Sequence, residues 1–83
     1  MKISFKTASS LAKYLPAGSV GNRAQLEVAD GATPADVIRQ LGMPEGTSYL
    51  VVLNGANVTK AERASRVLAA DDNLAIMPPL KGG

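Results

Sequence analysis

Apolar and polar positions alternate at the start of the chain, where Ile3 and Phe5 sit between Lys2, Ser4 and Lys6. That is the pattern of a strand with one wet face. The alternation returns over residues 23–29, where Leu26 and Val28 interleave with Gln25 and Glu27 before Asp30-Gly31 ends the run. The two strands are expected to pair antiparallel, because parallel neighbours need a longer crossover. Between them Leu11, Tyr14 and Leu15 follow Ser9 and Ser10 at helical spacing. One capped helical turn is predicted there, stopped by Pro16 and Gly18, with loop over residues 16–22.

The spacing then changes. Val37, Ile38 and Leu41 form an apolar stripe behind Thr33, Pro34 and Asp36, which read as an N-cap, a first helical residue and the third position of a capping box. Gly42 and Pro44 end this helix. Tyr49 to Leu53 is apolar at every position and lies between Gly46 and the hairpin pair Asn54-Gly55, so it reads as a strand covered on both faces. Val58 opens a short return strand, Thr59 to Glu62 repeats the form of a capping box over a brief turn, and Ala70 to Asn73 is a turn. Leu74 and Ile76 then alternate with Ala75 and Met77 in a last strand that runs into Pro78-Pro79.

The order of elements is that of a β-grasp fold: an α+β domain over residues 1–77, with a mixed sheet of four to five strands and one main helix. Residues 78–83 are expected to project as an extended tail. A single helix covers one face of a sheet, yet the central strands are apolar on both parities. Val51, Leu53, Ala75 and Met77 are therefore expected to form an open apolar patch that a partner covers. The alternative is that the segment of residues 8–22 folds over that face.

Charge and composition exclude several functions. Nine basic and seven acidic residues give a net charge of +2, spread along the chain. The aromatics are Phe5, Tyr14 and Tyr49, none of them in an RNA-binding run. Neither feature is a nucleic-acid footprint. The longest run of large aliphatics is Leu50 to Leu53, and Met1 to Lys6 has no signal-like apolar stretch, so no membrane contact and a cytoplasmic location are expected. The sequence has no cysteine and no histidine. It lacks thiolate metal ligands, a cysteine nucleophile and the commonest general base, so no catalytic residue, metal or cofactor is expected.

The chemistry is concentrated in Pro78-Pro79-Leu80-Lys81-Gly82-Gly83. The prolines favour an extended path that carries the chain away from the domain. Gly82, without a Cβ, passes a slot closed to larger residues and leaves the Gly83 carboxylate as the group delivered. From Leu68 onward, Leu68, Asp72, Leu74, Ile76, Pro78, Pro79, Leu80, Gly82 and Gly83 fall in a distinctive order: leucine, acidic turn, strand, Pro-Pro, aliphatic, variable residue, Gly-Gly. In these residues, and in layout over essentially its whole length, the chain resembles the MoaD/ThiS family of ubiquitin-like sulfur carriers. The tail is most similar to that of the small subunit of molybdopterin synthase. Asp71 departs from the usual turn glycine, and Met77 stands where an aromatic is common.

The resemblance implies a non-catalytic carrier. An E1-like ATP-dependent enzyme would adenylate Gly83, and a sulfur donor such as a cysteine desulfurase would displace AMP to leave a thiocarboxylate. A larger catalytic synthase subunit would then receive the tail. In these terms Gly83 carries the sulfur and Gly82 gives clearance. Pro78, Pro79 and Leu80 set reach and direction, and Lys81 keeps the tail solvated or meets an acidic partner. Molybdopterin synthesis is the expected destination; a thiamin precursor, a sulfur-containing amino acid and a thiolated tRNA base are the alternatives. Two further readings use the same body: a modifier joined to lysines through Gly83, and a passive binding module.

Overall fold

The computed structural model describes residues 1–16, 18–44 and 49–78. Strand β1 (Lys2–Thr7) buries Ile3, Phe5 and Thr7 and exposes Lys2, Ser4 and Lys6. It pairs antiparallel with β2 (Arg23–Glu27), placing Ile3 opposite Leu26 and Phe5 opposite Ala24. The segment between them holds a 3₁₀ helix over Ser9–Tyr14, and Leu11, Tyr14 and Leu15 pack against the core.

Helix α1 (Pro34–Gln40) begins as its sequence predicts. The Asp36 N–H donates to the Thr33 hydroxyl, and the Thr33 N–H donates to the Asp36 carboxylate at 3.0 Å. At the other end Gly42 takes φ +75°, its N–H donates to the Arg39 carbonyl, and the Met43 N–H reaches back to Ile38 at 3.0 Å. This closing geometry satisfies carbonyls that the last turn would leave open, and it suits a residue without Cβ. The helix lays Val37 and Ile38 on the sheet, and Met43 is drawn into the same core.

The remaining strands are β3 (Leu50–Leu53), β4 (Ala56–Val58) and β5 (Asn73–Met77). The sheet order is β2-β1-β5-β3-β4. The β1–β5 pair is parallel and the others are antiparallel, which makes the five-stranded mixed sheet of a β-grasp fold. Asn54 and Gly55 turn β3 into β4 with φ of 50° and 84°, a pair of positive values suited to a two-residue hairpin. The capping box at Thr59 and Glu62 is formed and leads into a 3₁₀ turn over Ala61–Ala64.

The turn into β5 is held from two sides. Asp71 adopts φ 66°, a left-handed conformation that aspartate tolerates better than most residues. Its N–H donates to the Lys2 carbonyl, while the Asn54 side chain donates to Asp72 and accepts from the Asn73 N–H. Among the described residues no helix is long and apolar enough to cross a membrane.

The cap on α1 gives two tests. Thr33→Ala removes the hydroxyl that accepts the Asp36 N–H and should cost about 1 kcal/mol in urea denaturation. The Thr33 N–H, above all, holds the Asp36 carboxyl below its ordinary pKa. The charged cap therefore stabilises the fold at neutral pH, and the contribution disappears as pH falls through that depressed value. Asp36→Asn should lower the denaturation midpoint near neutral pH and converge with the wild type in strong acid.

Candidate functional site

The sheet face away from α1 is the candidate site. In a strand successive side chains point to opposite faces, so register assigns each one. Val51 lies opposite Ile76 and Val58, and Leu53 opposite Leu74 and Ala56. Ile76, Leu74 and Val58 are all core residues. Val51 is 0% exposed and Leu53 3%. These two residues, expected in the open patch, are instead buried under α1.

Leu50 and Val52 take their place. Leu50 lies opposite Met77, and Val52 opposite Ala75. Leu50 is 41% exposed, and the other three are half-buried. Strand β3 is thus covered on one face only, contrary to the expectation from its unbroken apolar run. Of the segment of residues 8–22, Leu11, Tyr14 and Leu15 pack against the core, and none of its described residues lines the groove that reaches Val52 and Ala75. Ala75 and Met77 sit where the alternation of β5 puts them.

The misassignment of Val51 and Leu53 has a physical reason and a missed signal. Leu50-Val51-Val52-Leu53 carries no alternation, so its parity cannot be read locally. The two-residue turn Asn54-Gly55, however, fixes Val52 opposite Asn57. A polar residue there marks that face as the wet one.

The open face has a polar half on β1 and β2. Lys2 pairs with Glu27, Ser4 with Gln25 and Lys6 with Arg23. Lys6 is also beside Ala75 across the parallel pairing. A shallow groove of about 320 Å³ joins the two halves, lined by Lys6, Arg23, Ser4, Asn73, Ala75 and Val52 among others.

The site end of the sheet is pinned by side chains that donate to main-chain carbonyls. The buried Thr7 hydroxyl donates to the Ile76 carbonyl and so ties the end of β1 to the end of β5. The Tyr49 hydroxyl donates to Pro44 at 2.9 Å, and the Arg63 guanidinium donates to the Tyr49 carbonyl just before β3. Pro78 follows Met77 directly and is half-buried. Pro79, Leu80, Lys81, Gly82 and Gly83 lie outside the described residues.

The model of the ThiS family matches residues 16–83. The chain belongs to the ThiS family of ubiquitin-like sulfur carriers. Solved structures agree in fold. The HVO 2177 protein of Haloferax volcanii superposes with a TM-score of 0.78 at 22% identity, over 100% of this chain and 87% of that one. Small archaeal modifier protein 1 of the same organism gives 0.68 at 22%, over 95% and 98%. A molybdopterin converting factor subunit 1 from Pyrococcus furiosus gives 0.68 at 19%, over 96% and 99%. No curated protein matches the sequence.

The face assignment can be checked by stability. Leu53→Ala should cost roughly 2–5 kcal/mol, the range for truncating a buried leucine. Leu50→Ala, on the open face, should cost less than about 1 kcal/mol. Parallel urea titrations of the two variants decide it, and equal losses would reverse the assignment.

Proposed function

We propose that this ThiS family chain is a sulfur carrier whose Gly83 carboxylate is activated and thiolated by other proteins. The observation that carries the reading is the sequence Pro78-Pro79-Leu80-Lys81-Gly82-Gly83. It follows β5 directly and lies within the matched family region, in a chain without cysteine or histidine. A carboxylate is a poor acyl donor because its leaving group would be oxide. An E1-like enzyme removes that obstacle: a Gly83 carboxylate oxygen attacks the α-phosphorus of ATP, pyrophosphate leaves, and an acyl-adenylate forms. The outer sulfur of a persulfide, the form in which a cysteine desulfurase carries it, then attacks the acyl carbon and AMP leaves. A second thiol of the partner cleaves the resulting acyl disulfide, forming a disulfide with the inner sulfur and leaving the thiocarboxylate on Gly83.

Apart from the Gly83 carboxyl and ATP, every reacting group in these steps belongs to a partner. The chain supplies the acyl carbon, a tail narrow enough at Gly82 to enter the partner's site, and a folded face for docking. Pro78, Pro79 and Leu80 set the tail's reach. Met77, Ala75, Leu50 and Val52 are the apolar docking residues. Lys81 keeps the tail solvated or meets an acidic wall. The most fitting destination is molybdopterin synthesis, with a larger synthase subunit receiving the tail in the cytoplasm. The Pro-Pro-Leu-Lys-Gly-Gly sequence and the fold shared with the converting factor subunit support it.

A second reading shares the first step. A structural neighbour is named a modifier protein, and an activated Gly83 could equally acylate a lysine amine to form an isopeptide bond. The two readings differ in the acceptor, sulfur or nitrogen.

Intact mass spectrometry of the protein from its own cells, before and after incubation with activating enzyme, ATP and sulfide donor, tests both. The expected result is a gain equal to replacing one oxygen by sulfur, localised to Gly83 and absent from a Gly83 deletion that melts like the wild type. An unchanged mass with an enzyme competent on another carrier would overturn the carrier reading, and lysine-linked conjugates would establish the second.

A further inference from the structure

The open face does not balance its charge evenly. On the β1–β2 hairpin the cross-strand pairs run from Lys2 with Glu27, of opposite charge, through Ser4 with Gln25, to Lys6 with Arg23, of like charge. Directly opposite residues hold their Cβ atoms about 5 Å apart, and like charges so placed destabilise the pair. Both side chains are exposed, and among the described residues neither has an acidic partner. The like pair lies at the end of the sheet where β5 leads to Pro78. In register it adjoins Ala75 and through it Val52.

Two grooves meet at Arg23, and Lys6 lines one of them. The one of about 320 Å³ crosses β1 and β5 towards Val52. A second, of about 420 Å³, runs from Arg23 and Gln25 to Val20 and Ser19 in the loop before β2. They share Ser4, Phe5 and Arg23, and among the described residues no acidic one lines either.

We propose that Lys6 and Arg23 form a cationic clamp for an acidic side chain of the adenylating enzyme, which docks its apolar surface on Leu50, Val52, Ala75 and Met77. The proposal rests on the carrier reading and specifies the chemistry of its partner. A carboxylate between the two cations removes their mutual repulsion, so the arrangement is most favourable only in the complex. The continuity of the clamp with the apolar patch favours a protein over a free anion, since phosphate would make no use of the apolar surface. Charges at such positions chiefly govern encounter and salt dependence.

Single reversals test this. Lys6→Glu and Arg23→Glu each turn the like pair into a complementary one, so neither should lower the melting temperature. Each should nevertheless weaken binding of the full chain to the enzyme without ATP by about tenfold. With ATP, the loss should appear as a raised KM for the carrier in Gly83 adenylation. Added salt should weaken wild-type binding more than binding of either variant. Variants that bind as tightly as the wild type, or wild-type affinity indifferent to salt, would overturn the clamp. So would saturable binding of inorganic phosphate shifting the Lys6 and Arg23 amide resonances, which would assign the pair to a small anion. Binding with this charge dependence but no adenylation would keep the clamp and sink the carrier reading. Equal adenylation of wild type and variants, with unaltered binding, would do the reverse.

Discussion

The tail-proximal end of the fold depends on the parallel pairing of the first strand with the last. β1 and β5 lie side by side in the middle of the sheet, joined by backbone bonds and by the Thr7 hydroxyl on Ile76. Parallel neighbours cannot be joined by a tight turn, so everything between them must cross over and pack. Here α1 makes the covering layer, and β3 and β4 extend the sheet beyond β5. The last described strand, which ends at Met77, is therefore interior to the sheet and lies beside the apolar patch, not at a fraying edge.

That placement limits where a partner can hold the domain. One seven-residue helix covers one face of the five-stranded sheet. The opposite face keeps Leu50, Val52, Ala75 and Met77 at the surface, although apolar side chains gain most from leaving water. A partner that buried them would gain that free energy beside the end of β5. On the proposed carrier reading, docking and delivery would use adjacent parts of one surface.

Legibility followed how far each feature depends on distant residues. The alternation of β1, the Thr33-Asp36 cap and the Asn54-Gly55 turn are local, and each is where its sequence puts it. The left-handed Asp71 is similar: a short side chain able to bond nearby backbone stands where the turn needs positive φ. The face of β3 was not legible in the same way, because Val51 and Val52 are the same residue and only their opposites, Ile76 and Ala75, distinguish them. Asn57 held that information at one remove, through the register of the hairpin.

The Lys6–Arg23 pair shows the same limit for charge. Along the sequence the two cations belong to different strands and nothing joins them; a net charge of +2 gives no hint of a local excess. Register brings them together and puts Glu27 beyond the neutral pair Ser4 and Gln25, opposite Lys2. Folding alone would favour an opposite-charge pair at both ends of this hairpin. Keeping a like pair next to the apolar patch, where the tail begins, lowers the stability of the free domain slightly and raises the gain on meeting an acidic surface. A carrier must be bound for activation and then released for delivery. On the proposed carrier reading, exposed charge beside a small apolar patch suits that cycle, because charge speeds encounter and selects the partner while the patch supplies the buried contact.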